Sequence, residues 1–214
     1  DKECLENIKP LIWHNEAPTG GLMQLGQTKI VETISKKNIK VLQDGTGLDE
    51  IFGGYEVYFL QYLKNLKFKN SKFFEKNFKN YLNHWKISRD QALKKIKGIT
   101  SQNPKTPDGY DFVNKSIFNK KFIMKYKKNL PQVNSVKHSM INFLQHSKIP
   151  KNSHFKDRLG LAFGVEIRFP FLEHFLVEEG LKLSEKKLFG SGKGKNILRN
   201  IFKKRINSNL FKVP

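Results

Sequence analysis

The chain has 214 residues, of which 38% are hydrophobic and 12% aromatic, so it has enough apolar material for a core and is not wholly disordered. Its 40 Lys and Arg against 19 Asp and Glu give a formal net charge of +21, but the lysines are scattered, so we do not expect nucleic acid to be its partner. The single cysteine, Cys4, excludes an internal disulfide and a cysteine-rich metal site, and no apolar run is long enough for a membrane span. Together these features predict a cytoplasmic protein without a membrane partner.

The first part of the chain predicts a strand, a helix and a second strand. Leu11–Trp13 is a short apolar run that ends before polar residues and Pro18, which predicts a strand leading into a loop. Apolar residues then recur at helical spacing between residues 22 and 34. Ile39–Leu42 is a short run with β-branched residues that stops before Asp44, and a helix that leads into a strand in this way is typical of an α/β sheet.

The rest of the chain predicts helices. The helical pattern resumes at Leu48 and continues toward Leu66, and Lys- and Phe-rich stretches predict further amphipathic helices. The segment 100–109 contains two prolines, which predicts a loop and the best internal boundary of the chain. The further helices are predicted near residues 71–86, 89–97, 133–147, 154–164, 172–183 and 194–206.

One segment combines a strand, a glycine-bearing turn and a helix start with two carboxylates. It covers residues 41–55, VLQDGTGLDEIFGGY. Glycines at such a turn let the backbone approach a ligand closely, and the N–H groups that open the next helix attract phosphate. Asp49 is placed where a Mg²⁺ ion that bridges phosphates needs an oxygen ligand. An ordinary strand-to-helix turn, with Asp49 and Glu50 favoured by the helix dipole, explains the same pattern.

A second segment covers residues 157–174, DRLGLAFGVEIRFPFLEH. Its apolar spacing predicts a helix that leads into an extended stretch before Pro170, followed by another helix. Glu166 and Arg168 are two residues apart in the extended stretch, so their side chains face the same side. They can contact a substrate or form an internal ion pair, and the sequence leaves both roles open. In the second case we expect Arg168 to be buried, so that loss of Glu166 would destabilise the protein.

A third segment covers residues 190–199, GSGKGKNILR. It contains glycines followed by lysine, but its spacing does not match the phosphate-binding loop G-x-x-x-x-G-K-S/T. We interpret this segment as the beginning of a helix. Lys195 then either orients the domain or contacts an anion.

These three segments resemble the glutamine-hydrolysing asparagine synthetase family. The family patterns are S/D-G-E/Q-G-A-D-E-L/I-F-G-G-Y, D-R-x-S-M-A-x-x-x-E-x-R-x-P-F-L-D-H and g-x-x-K-x-x-L-R. Residues 44–55 and 157–174 match the first two patterns in order and spacing, and residues 190–199 resemble the third more weakly. The resemblance extends over essentially the whole chain. The departures are Thr46 for Glu or Gln, Leu48 for Ala, Gly160-Leu161 for Ser-Met, and Glu173 for Asp.

The resemblance implies a fold and a domain organisation. The fold is the C-terminal part of an adenine-nucleotide-hydrolase-like domain, also called a PP-loop ATPase domain. This is a helix-rich α/β structure with one or two parallel strands at its start. Residues 1–214 would form a partial synthetase domain without its N-terminal strands and without the glutaminase domain. The sequence contains no S-G-G-x-D-S loop, and Cys4 is not an N-terminal nucleophile, so we expect the isolated chain to be inactive.

The resemblance also implies roles for individual residues. In the family, the carboxylate matched by Asp49 is placed at the magnesium and pyrophosphate site, and the preceding turn lines the aspartyl-adenylate pocket. The family's Glu at the position of Thr46 is proposed to act as a base in the attack by ammonia, and Thr cannot accept this proton at neutral pH. The expected residues are Asp49 at the metal, Asp44, Gly45, Gly47, Glu50 and Lys195 at the cofactor, and Thr46, Glu166 and Arg168 in the reaction.

The reaction that the resemblance implies uses ATP and Mg²⁺. ATP activates aspartate or another carboxylate as an acyl-adenylate, and ammonia derived from glutamine attacks the acyl carbon. An amidotransferase of the same family that acts on another carboxylate, in polysaccharide or peptide modification, stays open because of the departures at Thr46 and Gly160-Leu161. The alternative from another class is a non-catalytic basic module that binds RNA or a protein. The oligomeric state is also open, with a homodimer as one alternative.

Overall fold

The computed structural model of the chain describes residues 2–17, 23–69, 71–99, 119–129, 135–190, 192, 194–203 and 205. These residues form a helix-rich structure with a small parallel sheet, which is consistent with the α/β class. The described strands are β1 (Val41–Gln43) and β2 (Glu166–Arg168), and a short 3₁₀ turn covers Pro170–Leu172. The described helices are α1 (Lys2–Asn15), α2 (Met23–Lys36), α3 (Leu48–Phe52), α4 (Glu56–Lys69), α5 (Ser71–Trp85), α6 (Arg89–Gly98), α7 (Lys120–Asn129), α8 (Val136–Gln145), α9 (Lys148–Ala162), α10 (His174–Lys182), α11 (Glu185–Phe189) and α12 (Asn196–Phe202).

The chain divides into two compact units. The first unit comprises Asp1–Leu48 and Phe143–Glu179, and the second comprises Asp49–Asn142 and Gly180–Pro214. One division falls between Leu48 and Asp49, within the first turn of α3. The glycine-turn motif therefore has its turn in the first unit and its two carboxylates in the second.

The first unit contains the parallel sheet. Leu42 of β1 is opposite Ile167 of β2, which confirms the predicted strand near residues 39–42. In both strands only the central residue is partly buried, so it faces the core while its two neighbours face solvent. The second strand comes from the 157–174 segment rather than from the start of the chain. The buried residues of this core are Leu11, Leu25, Val31, Leu159 and Val165.

Leu11–Trp13 lies in helix α1, so the strand predicted there is wrong. Ile8 and Leu11 are three residues apart and both pack into the core of the first unit. Asn15, one turn further on, is also buried, whereas Trp13 is 81% exposed. A run of three apolar residues does not distinguish a strand from a helix, and here the burial of one helical face decides the outcome.

The second unit has an aromatic core. The ring of Phe59 on α4 stacks on Tyr81 of α5, with centroids 5.5 Å apart, and contacts Phe189 of α11 edge to face. The Glu56 carboxylate accepts hydrogen bonds from the Tyr81 hydroxyl and the Lys95 ammonium, each at 2.6 Å. Ring contacts thus fix α4 against α5 and α11. Glu56 of α4 also links this helix to α5 and α6 through its two hydrogen bonds.

Most of the predicted helices are confirmed. The ranges 71–86, 89–97, 133–147, 154–164, 172–183 and 194–206 correspond to α5, α6, α8, α9, α10 and α12, and the helical pattern of residues 22–34 corresponds to α2. The pattern from Leu48 toward Leu66 is interrupted at Gly53-Gly54, which separate α3 from α4. The sequence does not predict α7 and α11. No described helix has both the length and the apolar character that crossing a membrane requires.

The predicted loop 100–109 lies outside the described residues. The residues on both sides of it belong to the second unit. The expectation that this segment forms the internal boundary is therefore wrong. The units are defined by long-range contacts, and proline content does not report such contacts.

Candidate active site

The turn that follows β1 lies in the first unit. The Asp44 N–H donates to the Arg168 carbonyl at 2.9 Å, which extends the strand pairing by one residue. Asp44 Oδ1 accepts a hydrogen bond from the Thr46 N–H at 2.8 Å, a local turn typical of aspartate. Gly47 has φ +97°, and a Cβ there would lie 2.5 Å from Leu172 Cδ2, so this position requires glycine. The predicted order of strand, turn and helix is confirmed.

Lys156 of α9 links the side chains of this turn. Its Nζ lies 2.7 and 2.8 Å from the two carboxylate oxygens of Asp44 and 2.7 Å from Thr46 Oγ1. The Thr46 hydroxyl donates to Asp44 Oδ1. Burial tends to raise the pKa of the Asp44 carboxyl, but the hydrogen bonds from Lys156 and Thr46 outweigh it and place the pKa below its ordinary value. Asp44 is therefore a charged carboxylate at neutral pH.

Lys156 is a residue of this turn's surroundings that the sequence motifs do not predict. This residue comes directly before Asp157, so it lies one position outside the segment 157–174. The signal that could reveal it is structural: α9 leads into β2, and β2 pairs with the strand that ends at Asp44. A partly buried carboxylate at that strand end needs a cation, and Lys156 supplies it.

In the second unit, Asp49 and Lys195 form an ion pair. Lys195 Nζ lies 2.8 Å from Asp49 Oδ1, and their side chains are 35% and 36% exposed, respectively. Lys195 directly precedes α12 and has φ 56° and ψ 33°, a left-handed conformation that residues other than glycine adopt rarely. The structure therefore brings together the predicted metal ligand and the predicted anion-binding lysine, each accessible to solvent.

Gly54 allows this ion pair to form. Its N–H donates to the Asp49 carbonyl at 2.8 Å, just beyond the last residue of α3. A Cβ at this position would overlap Asp49 Oδ1, and it would lie 2.5 Å from Asp49 Cγ and 2.8 Å from Lys195 Cε. Both charged side chains lie against the backbone at Gly54, so any larger residue would displace them.

Glu50 faces the interior of the second unit. It is 2% exposed, and its carboxylate accepts a hydrogen bond from the Tyr55 hydroxyl at 2.7 Å. Burial, together with this hydrogen bond to Glu50, raises the pKa of Tyr55. Two neighbouring carboxylates thus differ: Asp49 is open to solvent, whereas Glu50 is already engaged inside the unit.

Glu166 and Arg168 lie side by side on β2 in the first unit. Arg168 Nε donates to Glu166 Oε1 at 2.8 Å, and both side chains are 59% exposed. The hydrogen bond and the charge of Arg168 hold the pKa of Glu166 below its ordinary value. The ion pair is present, but the expectation that Arg168 is buried is wrong because Ile167 takes the inward-facing position of this strand.

Asp49 fits Mg²⁺ as a single hard oxygen ligand. In phosphate sites, Mg²⁺ is commonly bound through one or two carboxylates, with substrate phosphates and water completing its octahedron. Within the described part of the chain, no group of three or more His, Cys, Asp or Glu side chains could hold a metal ion.

The fold and the site define a helix-rich α/β protein with a carboxylate–lysine pair that follows a glycine turn. The asparagine synthase family model matches residues 1–214, so the chain belongs to that family. The chain is also similar to the amidase chyE of Penicillium rubens, with 34% identity over 59 residues, which are 27% of this chain and 9% of that protein. The chain thus spans only a small part of this relative's length. No solved structure matches the chain.

Proposed function

We propose that this chain is part of an ATP-dependent amidotransferase of the asparagine synthetase type, in which it supplies the residues that bind magnesium and pyrophosphate. The observation that supports this proposal is the Asp49–Lys195 pair, with its two charged atoms 2.8 Å apart. Its members lie in two of the segments that resemble the family patterns. The Asp49 carboxylate would bind Mg²⁺, and the Lys195 ammonium would bind a phosphate oxygen.

In the proposed reaction, a carboxylate oxygen of aspartate attacks the α-phosphorus of ATP, and pyrophosphate leaves. Ammonia derived from glutamine then attacks the acyl carbon of the adenylate, which gives the amide and releases AMP. Mg²⁺, when bound, supplies charge neutralisation for the pyrophosphate. Asp49 would hold this ion, and Lys195 would stabilise the negative charge that develops on the leaving group. The same proposal includes a PP-loop ATPase fold for the complete synthetase domain, of which residues 1–214 form a part.

The turn residues Asp44, Gly45 and Gly47 are proposed to shape the adenylate pocket. Gly45 is exposed, and a Cβ there would meet no atom within 4 Å, so the backbone at this point is open to a ligand. Asp44 is engaged by Lys156 and fixes the turn by its hydrogen bonds. These residues would therefore shape the pocket through the position of their backbone atoms.

The other predicted residues have different parts in this proposal. Glu50 would support the site from the interior through its hydrogen bond with Tyr55. Glu166 and Arg168 are exposed on β2 and available to a polar substrate. A charged pair on the surface can exchange its internal hydrogen bond for contacts to a ligand at small cost.

A second candidate differs in the acceptor carboxylate. Thr46 stands where the family has Glu or Gln, and its hydroxyl is held by both Asp44 and Lys156. A threonine in this position does not provide the base that the family's Glu is proposed to provide. This observation favours, as the second candidate, a same-family amidotransferase that acts on a carboxylate other than aspartate. Mass spectrometry of the amide products formed from a panel of carboxylates by the complete enzyme distinguishes the two candidates.

The experiment that tests the magnesium and pyrophosphate assignment compares Asp49→Asn with Asp90→Asn. Asp90 is an exposed carboxylate in the first turn of α6, in the same unit, so both variants lose one negative charge. We expect calorimetry to show that Asp49→Asn binds Mg–pyrophosphate about tenfold more weakly or worse, because a charged ligand contact is lost. Asp90→Asn should bind like the wild type, and both should melt close to it. Unchanged affinity in Asp49→Asn would contradict the assignment.

A further inference from the structure

We propose that the Asp49–Lys195 pair makes the binding of a divalent cation and of a pyrophosphate-type anion interdependent, so that the two bind together and each binds weakly alone. This inference rests on the proposed function because it concerns the same site. In the structure, Lys195 Nζ lies 2.8 Å from Asp49 Oδ1, so each group neutralises the other. Neither charge is therefore free to receive a ligand unless the pair separates.

The cost of separating the pair depends on which ligand arrives. A divalent cation that binds Asp49 alone displaces the Lys195 ammonium and leaves it beside a doubly charged ion. Pyrophosphate that binds Lys195 alone leaves the Asp49 carboxylate beside a polyanion. When both ligands bind, the cation takes the carboxylate and the phosphate takes the ammonium. The pair then separates once for two ligands, and like charges are not left adjacent. Each ligand therefore raises the affinity for the other, which is positive cooperativity with a negative coupling free energy.

Backbone features of the second unit place the Asp49 and Lys195 side chains next to each other. The left-handed backbone at Lys195, with φ 56°, sets the direction in which its Cα–Cβ bond leaves the chain. Gly54 provides the space for both side chains, since a Cβ there would lie 2.5 Å from Asp49 Cγ and 2.8 Å from Lys195 Cε. Because each side chain is about a third exposed, ligands can still reach it.

Three variants separate the role of the ammonium from other effects. Lys195→Asn removes the ammonium but keeps a residue that tolerates the left-handed conformation. Lys195→Arg keeps the positive charge. Lys97→Asn removes the same charge from an exposed position in the last turn of α6, in the same unit. It serves as the control for the change in net charge.

Two probes are used on each variant of the 214-residue chain. Mn²⁺ alone is followed by the loss of its free-ion electron paramagnetic resonance signal, and Mg–pyrophosphate is followed by calorimetry. We expect Lys195→Asn to bind Mn²⁺ alone up to about fivefold more tightly, because the competing ammonium is gone. The same variant should bind Mg–pyrophosphate about tenfold more weakly, because a charge-assisted phosphate contact is lost. Lys97→Asn should stay close to the wild type with both probes, whereas Lys195→Arg should not bind Mn²⁺ alone more tightly than the wild type does, because the competing positive charge is kept.

Coupling predicts opposite effects of Lys195→Asn, tighter binding of Mn²⁺ and weaker binding of Mg–pyrophosphate. A purely structural role of Lys195 would weaken the binding of both probes. If Lys195→Asn binds Mn²⁺ alone no better than the wild type does, the inference is overturned. That result leaves the proposed function standing, provided that Asp49→Asn still loses Mg–pyrophosphate. If Asp49→Asn binds both probes as the wild type does, the proposed function fails, and the inference fails with it.

Discussion

The ammonium of Lys156 contacts three oxygen atoms of the Asp44–Gly47 turn. We expect Lys156→Met to lower the free energy of unfolding by about 1–2 kcal/mol at neutral pH, because a carboxylate that is only partly exposed loses its cation. The Asp44 side chain is 24% exposed, so water replaces the lost contacts only in part. Urea denaturation measures this difference.

The effect of Lys156→Met should also depend on pH. The folded-state pKa of Asp44 lies below its ordinary value, so the stabilisation is fully present above that ordinary value and is lost as pH falls through the folded-state pKa. The difference between wild type and variant should therefore shrink below about pH 4. The control is Lys151→Met, at an exposed position on α9. An equal loss in both variants, or a loss that does not change with pH, would contradict this account.

For individual residues, the sequence predicts which ones belong to the candidate site better than it predicts what surrounds them. The motif in residues 41–55 predicts that Asp44, Thr46 and Asp49 belong to the site. It could not show that Lys156 holds the first two, because the partners are more than 100 positions apart in the chain. Nor could it show that Glu50 is buried while its neighbour is exposed, since successive helical residues point in directions about 100° apart and the buried direction depends on packing.

At the scale of elements, Gly54 separates α3 from α4 and lies directly against Asp49. We expect Gly54→Ala to weaken Mg–pyrophosphate binding by about tenfold, because the added Cβ forces the Asp49 carboxylate out of its position. The control is Gly98→Ala at the last residue of α6, where a Cβ would meet no atom within 4 Å. Calorimetry on both variants checks the result, and an unchanged affinity in Gly54→Ala would show that the position of the carboxylate does not matter.

Elements with a sustained helical pattern were predictable, and short ones were not. The helices α5 and α6 follow from their apolar spacing, and α6 also has a complete capping box at Ser88 and Gln91. Helix α11 has five residues, too few to show a period. The apolar run Leu11–Trp13 fits a strand or a helix equally well, and its place in α1 is set by contacts with the rest of the first unit.

At the scale of the whole molecule, the division into two units was not predictable from local pattern. The boundary between Leu48 and Asp49 passes through a continuous motif, with no change in composition to mark it. It arises because β1 pairs with β2, whereas the residues after Asp49 pack into the aromatic core of the second unit. Such contacts join residues that are distant in the chain, and sequence spacing carries little information about them.

Ligand binding and catalysis can be separated at the scale of the whole chain. We expect the 214-residue chain to bind Mg–pyrophosphate and yet to form no AMP from ATP with aspartate, ammonia and Mg²⁺ present, and to release no glutamate from glutamine. The chain has the Asp49–Lys195 pair, but its 214 residues contain no S-G-G-x-D-S loop, and their single cysteine is Cys4. The residues that recognise the leaving group would then be separated from those that the family uses to start the reaction.

Chromatography of the nucleotides and a coupled assay for glutamate measure these products, with buffer and Asp49→Asn as blanks. We expect the chain, the variant and the buffer to give the same background. Formation of AMP that requires both Mg²⁺ and a carboxylate, and that Asp49→Asn abolishes, would contradict the prediction. Asp49 would still be assigned to the magnesium site, but the 214 residues would then be sufficient to form the adenylate.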